Sequence, residues 1–543
     1  MKVKIYLLSF LFSISFISSQ GQEPTLVKDI NSGGADSRPR ELTSCNGKLY
    51  FSAANGIAGT ELWTSDGTTA GTQMLKDIAI GSDSSHPADF IALGNKVIFV
   101  AEDALTGREL WITDGTLAGT QLLKDIYPGT AMGDPQYLTL MGGKVYFNAV
   151  DGTNGRELWV TDGTSIGTMM LKDTYPGSTG GNPTYLYAYG GNIYFATSDG
   201  VTGRELWISD GTTAGTSLLK DINTSSAASG PDRFVAFANK VYFSAYDGVS
   251  DGLYCTDGTT AGTTLVATVN IGGCISGTVQ NIYGIYNGIL YFQGSDVSTG
   301  CELWVSDGTS SGTMMLKDIN AGSGSSVPFG FLEYNGQLYF RASDGAAGYE
   351  MWVTDGTAAG TVLFKDFNPG SGDGLPYYHV IYHGKMYFIA DDGSNGFHLW
   401  ESDGTLANTV IRAPSISPLP DPLSSAIPTV HDTSLFFQAE YRSDYGNELY
   451  SFSTPDPASV NNTTKVQESV DVYPNPVQGT LNIALPGKGY SLSLYNSIGM
   501  LLEERTALKE HDIVDMSLYG GGVYMLNIRD GEGRLQVQKV LKY

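Results

Sequence analysis

The sequence is poor in cysteine, in positive charge and in long apolar runs. Only four cysteines, Cys45, Cys255, Cys274 and Cys301, occur in 543 residues, so disulfides can be accessories to the fold but not its framework. Lys and Arg number 31 against 56 Asp and Glu, a formal net charge of −25. Such a surface repels a phosphate backbone, which argues against a nucleic-acid partner. Beyond the N-terminus no stretch approaches the roughly 18 consecutive apolar residues of a membrane span, so no transmembrane helix is expected. No Gly-x-Ser-x-Gly elbow stands out from the repeated turns, and no His-Glu-x-x-His helix or phosphate loop is evident, which favours a non-enzymatic role.

What is present reads as an exported all-β protein. Lys2 and Lys4 precede an apolar stretch from Ile5 to Ile17 and the small or polar Ser18, Ser19, Gln20 and Gly21. This is the pattern of a secretory signal peptide over residues 1–21. The 32 Tyr and 22 Phe, with abundant Val, Ile and Thr, suit strands, and 69 Gly supply turns.

One period organises most of the chain. All seven Trp fall in a single motif, at Trp63, Trp111, Trp159, Trp207, Trp304, Trp352 and Trp400, with Tyr254 and Tyr450 in two further equivalent places. Successive spacings are 48, 48, 48, 47, 50, 48, 48 and 50. Each unit holds four short β segments. A Gly-Gly, Gly-Asn or Asn-Gly pair joins the first two, an Asp-Gly-x-x-Gly loop the second to the third, and Asp-Gly-Thr-x-x-Gly-Thr the third to the fourth. Four antiparallel strands per unit of this length predict the blades of a β-propeller spanning residues 22–455. Nine units are counted. The first lone segment, Leu26 to Ile30, matches a fourth strand, and the ninth unit lacks one, so the N-terminal strand is expected to close the last blade and remove the free edges.

The string Glu-Leu-Trp-x-x-Asp-Gly-Thr recurs at Glu61 to Thr68, Glu109 to Thr116, Glu157 to Thr164, Glu205 to Thr212 and Glu302 to Thr309. It resembles the ELWxxDGT repeat of secreted bacterial proteins, with departures at Gly252, Met351 and His398.

A Ser/Thr/Pro/Asn-rich stretch then reads as a linker over 456–470, and short alternating segments follow, suggesting a small Ig-like β-sandwich. Tyr473-Pro-Asn-Pro476, Leu494-Tyr495 with Gly499, and the closing Lys539-Val-Leu-Lys542 resemble, in order, the type A C-terminal sorting domain of type IX secretion. The resemblance covers 471–543 and implies engagement of the type IX secretion machinery, removal of this domain, and delivery of the remainder to the outer surface of a Gram-negative cell or to the medium.

Candidate chemistry is repetitive. Asp103, Asp151, Asp199, Asp247, Asp296, Asp344 and Asp392, with Asn55, sit in the second-to-third loops. Asp66, Asp114, Asp162, Asp210, Asp257, Asp307, Asp355 and Asp403 sit in the Asp-Gly-Thr turns. An Asp before Gly folds its own loop by accepting backbone amides. The alternative is a ring of calcium or sugar contacts, and calcium is the one cofactor these loops would suit. The Trp set is expected between blades rather than on a sugar-binding surface. His379, His383 and His398 concentrate in unit eight; zinc would accept such ligands, but solvated or packed side chains are the expectation. Cys274 and Cys301 lie in loops on one face of a propeller, which predicts a Cys274–Cys301 disulfide. The function expected is a binding or adhesion module for extracellular polysaccharide or protein. The alternatives are an extracellular carbohydrate-active enzyme on a propeller scaffold and a structural surface or matrix component.

Overall fold

A computed structural model of the chain describes residues 24–271, 282–296, 298–394, 396–416, 428–440, 444–453, 471–473, 477, 479–485, 490–496, 501–509, 511–519, 522–529 and 535–542. The predicted signal peptide, the linker and Cys274 lie outside these. The chain divides into two compact units after Ser453. No helix among the described residues is long and apolar enough to cross a membrane.

The first unit is a β-propeller of nine antiparallel sheets. Blade 1 runs Arg40–Cys45, Lys48–Ala54, Thr60–Ser65 and Gln73–Lys76 in sequential order, and the pattern repeats through blade 8. Blade 9 takes Thr429–His431, Ser434–Ala439 and Glu448–Phe452, then draws its fourth strand, Thr25–Lys28, from the N-terminus. Thr25 pairs with Ser451 and Leu26 with Tyr450, so the expected closure is present. Blade 6 differs from the rest. Its first strand is split into Asn270–Ile271, facing Ser295 and Gly294, and Tyr283–Tyr286, facing Phe292 to Ile289. The extra length in this repeat is taken up by breaking the inner strand rather than by shifting the outer three.

Local residue choice explains the blade. The hairpin between first and second strands places Asn46 and Gly47 at φ 50° and 69°, and Gly142 and Gly143 at 58° and 76°. Two consecutive left-handed residues make the turn whose twist matches the flanking strands. Second and third strands are buried on both faces over most of their length, as in Lys144–Val150 and Arg156–Thr161, because a blade has a neighbour on either side. The fourth strand, such as Met169–Lys172, buries only Leu171 fully.

The core is therefore a series of wedges between blades. Tyr50, Leu62 and Leu75 of blade 1 pack with Val97, Phe99 and Trp111 of blade 2. Val27, Phe436 and Leu449 of blade 9 pack with Leu42, Phe51 and Trp63 of blade 1, sealing the ring. Every Trp is buried in this way, at 5–8% exposure, and truncating one to Ala costs about 3–5 kcal/mol. A Lys from one blade adds to the grip on the next. Lys76 Nζ donates to Thr120 O at 2.8 Å and lies 5.8 Å from the Trp111 ring centroid, a cation–π geometry.

The second unit pairs a three-stranded sheet, Asp471–Tyr473, Thr480–Ala484 and His511–Asp515, with a four-stranded one in the order Leu501–Arg505, Ser491–Asn496, Gly522–Arg529, Leu535–Lys542. Leu481, Ile483 and Val514 from the first sheet and Leu492, Leu494, Leu526, Ile528 and Val540 from the second form its core, which is a β-sandwich.

Candidate binding site at the channel mouth

The repeated aspartates fold their own loops. Asp103 Oδ1 accepts from Leu105 N at 2.8 Å and Thr106 N at 2.7 Å, and Asn55 Oδ1 does the same for Ile57 and Ala58. In the other set, Asp114 Oδ1 accepts from Thr116 N at 2.9 Å and from its hydroxyl at 2.7 Å, and that hydroxyl accepts from Gly119 N. The amides and hydroxyls of Ser298 and Thr299 hold Asp296 down at about 2. Among the described residues no group of three or more His, Cys, Asp or Glu is placed to hold a metal ion. The three histidines of unit eight do not converge. The His379 ring lies tilted 5.6 Å from that of Phe388, His383 occupies a left-handed turn against Tyr382, and His398 lies 3.2 Å from Asp392. Burial, with the nearby Arg341 charge, pushes His379 down to about 4. Cys301 is disulfide-bonded and Cys45 and Cys255 are free thiols.

Sequence reasoning left the Glu of the repeat without a role. Seven of nine units carry it two residues before the Trp position, and in each it is 0% exposed. Glu109 accepts from Ile126 N, Tyr127 N and Gly133 N at 3.0, 3.1 and 2.8 Å. Glu61 accepts from Ile78 N, Ser85 N and Ser85 Oγ at 2.7, 2.9 and 2.6 Å. Each carboxylate thus ties down the loop that leads to the next blade. Burial pushes Glu109, Glu350 and Glu448 up to about 7. The available signal was an acid recurring inside an otherwise apolar strand.

The inner strands carry the feature that does not repeat. First strands of neighbouring blades lie against one another and form the innermost ring around the propeller channel. In blades 1–5, 7 and 8 each of them bulges at the same level. The bulge residue is left-handed: Glu41, Asp89, Tyr137, Tyr185, Arg233 and Tyr378 have φ of 54–57°, and Gly330 has 73°. Holding such residues there costs about 1–3 kcal/mol each, and strain of this kind clusters where side chains must be aimed. Backbone geometry is constant while the side chain changes from acid to tyrosine to arginine.

The bulge side chains group locally. Asp89 N donates to Glu41 Oε2 at 2.5 Å. Burial, then the Asp89 charge, push Glu41 up to about 7, and burial raises Asp89 also. Asp89 is solvent-exposed yet crowded by protein, as a side chain in a channel is. Tyr137 and Tyr185, from adjacent blades, meet edge to face at 5.6 Å.

Beside them runs an arc of arginines, the first residues of the Glu-Leu-Trp strands. Arg156 Nη1 donates to Asp134 O and Asn148 Oδ1, and its Nη2 meets Asp134 Oδ2 at 2.8 Å. Arg108 lies 3.5 Å from the same carboxylate. Across the ring Arg341, 7% exposed, has its guanidinium 3.6, 4.6 and 4.8 Å from the rings of Phe329, Tyr377 and Tyr349. Its charge is held against aromatic faces.

Comparison with known proteins adds a destination. The family model of the secretion system C-terminal sorting domain matches residues 471–542. The chain thus carries the sorting domain of type IX secretion and is an exported protein. No curated protein matches it. Among solved structures it is similar to PorZ, an essential surface component of the type IX secretion system of Porphyromonas gingivalis. That match has 14% identity and a TM-score of 0.30, and covers 95% of this chain and 87% of the other. It is also similar to the β-propeller domain of the Trilobed protease from Pyrococcus furiosus, at 12% identity and TM-score 0.30, covering 61% and 99%. A puromycin-hydrolysing peptidase of Mycobacterium tuberculosis matches at 14% and 0.34, covering 68% and 60%. At these levels nothing about activity transfers.

Proposed function

We propose that this protein is a binding module of the outer cell surface or medium of a Gram-negative bacterium, engaging extracellular polysaccharide or protein through the channel mouth. The ELWxxDGT resemblance, the predicted signal peptide and a type A sorting domain support that destination. The observation that carries the reading is the bulge ring, where seven blades keep one left-handed geometry and six of them present side chains from it, varying from acid to tyrosine to arginine. The aspartate turns and the buried glutamates, by contrast, are engaged in folding the repeat. The test is an array of extracellular polysaccharides and matrix proteins probed with the full chain, with and without calcium. Tyr137→Ala with Tyr185→Ala should weaken binding while the chain still folds; Tyr137 also packs against the core beside Leu158 and Leu186, so the urea midpoint is measured alongside to separate its stability cost from the loss of binding. A wild-type chain that binds nothing, or a double variant that binds as well, would refute the reading.

Glu41 and Asp89 favour a second reading, an extracellular carbohydrate-active enzyme. A carboxyl near 7 beside another is the pairing that acid–base chemistry uses. Turnover of a polysaccharide that Glu41→Gln abolishes would establish it.

A further inference from the structure

Arg204 is the one arginine of the arc without a carboxylate. Its Nη1 donates to Asn182 O at 2.8 Å, Thr184 Oγ1 at 2.8 Å and Ala196 O at 3.1 Å. Among the described residues its Nε and Nη2 make no hydrogen bond, and the residue is half-buried. The reason is one substitution in the repeat. Arg156 reaches back to Asp134, whereas the residue 48 positions further on, opposite Arg204, is Asn182. The backbone contact is kept and the counter-charge is gone. One edge of the guanidinium is thus anchored three times over, while the other, the Nε–Nη2 fork that matches a carboxylate, has no partner among the described residues.

The surroundings restrict what could dock. Thr184, which accepts from Arg204 Nη1, directly precedes Tyr185 on the inner strand of blade 4; Tyr185 meets Tyr137 of blade 3 edge to face at 5.6 Å and is 37% exposed. An aromatic face next to a carboxylate fork suits a pyranose bearing a carboxyl group, with C–H faces on one side and the anion at its end. The acidic side chain of a peptide makes no use of the tyrosines. The net charge of −25 repels a dense polyanion, but that field is screened beyond about 8 Å at physiological salt, so a single acidic residue docks against the local positive charge.

We infer that Arg204, beside Tyr137 and Tyr185, binds the carboxylate of a uronic acid residue in an extracellular saccharide. This rests on the binding-module reading and names its ligand class. The test is calorimetry on the full chain with an oligogalacturonate, its carboxyl-reduced neutral counterpart and an oligoglutamate peptide. The oligouronate should bind roughly ten- to hundredfold more tightly than the reduced sugar, the range of a hydrogen-bonded charge. Arg204→Gln should remove that difference. So should Asn182→Asp, which supplies the internal carboxylate that blade 3 already tolerates at Asp134, and so guards against misfolding as the explanation. Arg204→Lys should retain only part of the preference, since it keeps the charge without the fork. Equal binding of the two sugars, an unchanged difference in Asn182→Asp, or Arg204-dependent binding of the peptide alone overturns the inference. If neutral glycans or proteins on the array still bind in that case, the binding-module reading survives; if nothing binds the wild-type chain, it falls too.

Discussion

Replacing Glu109 by Ala probes the device that joins each blade to the next. The carboxylate is 0% exposed and accepts three amides, of which those of Ile126 and Gly133 are buried. A buried donor left without a partner costs about 1–3 kcal/mol, so these two alone imply about 2–6 kcal/mol. The pH dependence supplies a sharper check. Burial raises Glu109 from 4.5 to about 7 in the folded chain, so the folded state binds the proton more tightly than the unfolded one. Stability from this group is then full below 4.5 and is lost as pH rises through about 7. Glu109→Ala should therefore cost most near about pH 5 and least near about pH 8. Urea unfolding followed by tryptophan fluorescence, at unchanged m, gives both values. A loss below about 1 kcal/mol at the lower pH, or a greater loss at the higher one, would show that Glu109 does not secure the loop.

Other expectations follow from the same contacts. Glu448 accepts from Ile30 N at 2.9 Å, Asn31 N at 3.2 Å and Ser37 Oγ at 2.6 Å, so Glu448→Ala should lower the thermal midpoint and expose the N-terminal strand to protease, and an unchanged digestion pattern would count against ring closure through this residue. Arg341→Met should be neutral or stabilising, because a buried charge gives way to an apolar chain of similar length, while Arg341→Ala should cost about 2–5 kcal/mol by emptying the aromatic cage; denaturation of the two variants separates charge from packing. We propose that Cys301 pairs with Cys274, and unreduced peptide mapping should find that linkage and alkylation only at Cys45 and Cys255. Asp296, held at about 2 from 3.8 by its amides, adds stability above 3.8 that is lost as pH falls through 2. With the buried glutamates acting in the opposite sense, the thermal midpoint should peak on the acid side of neutrality; a steady rise from about pH 5 to about pH 8 would refute that.

Much of the fold was legible because it is written in local, periodic terms. Alternation within a strand, paired left-handed hairpin residues and a Trp every 48 residues or so need only neighbours in sequence to be read, and the N-terminal Leu26–Ile30 could be matched to blade 9 because its fellow fourth strands look like it. The sorting domain was legible for the same reason. The aspartate turns were foreseen correctly, since their partners lie two or three residues away. His379 and His383 lie four residues apart, which on a continuous strand would put them on one face, but the turn after Tyr382 takes His383 out of the strand.

Only the tertiary structure assigned the rest. The partners of Glu109 lie 17 and more residues downstream, so a recurring acid in an apolar strand had no visible acceptor role. The bulge residues owe their prominence to a positive φ that Tyr, Glu or Arg do not advertise. Arg204, Asn182, Tyr137 and Tyr185 come from two blades, and a charge lacking its counter-ion can be recognised only once Asp134 is seen neutralising Arg156. The sequence by itself determined the ring, its closure and its export, because those depend on repeated short-range pattern. Where the ring departs from its own repeat, and so what its mouth can hold, was decided by packing between blades.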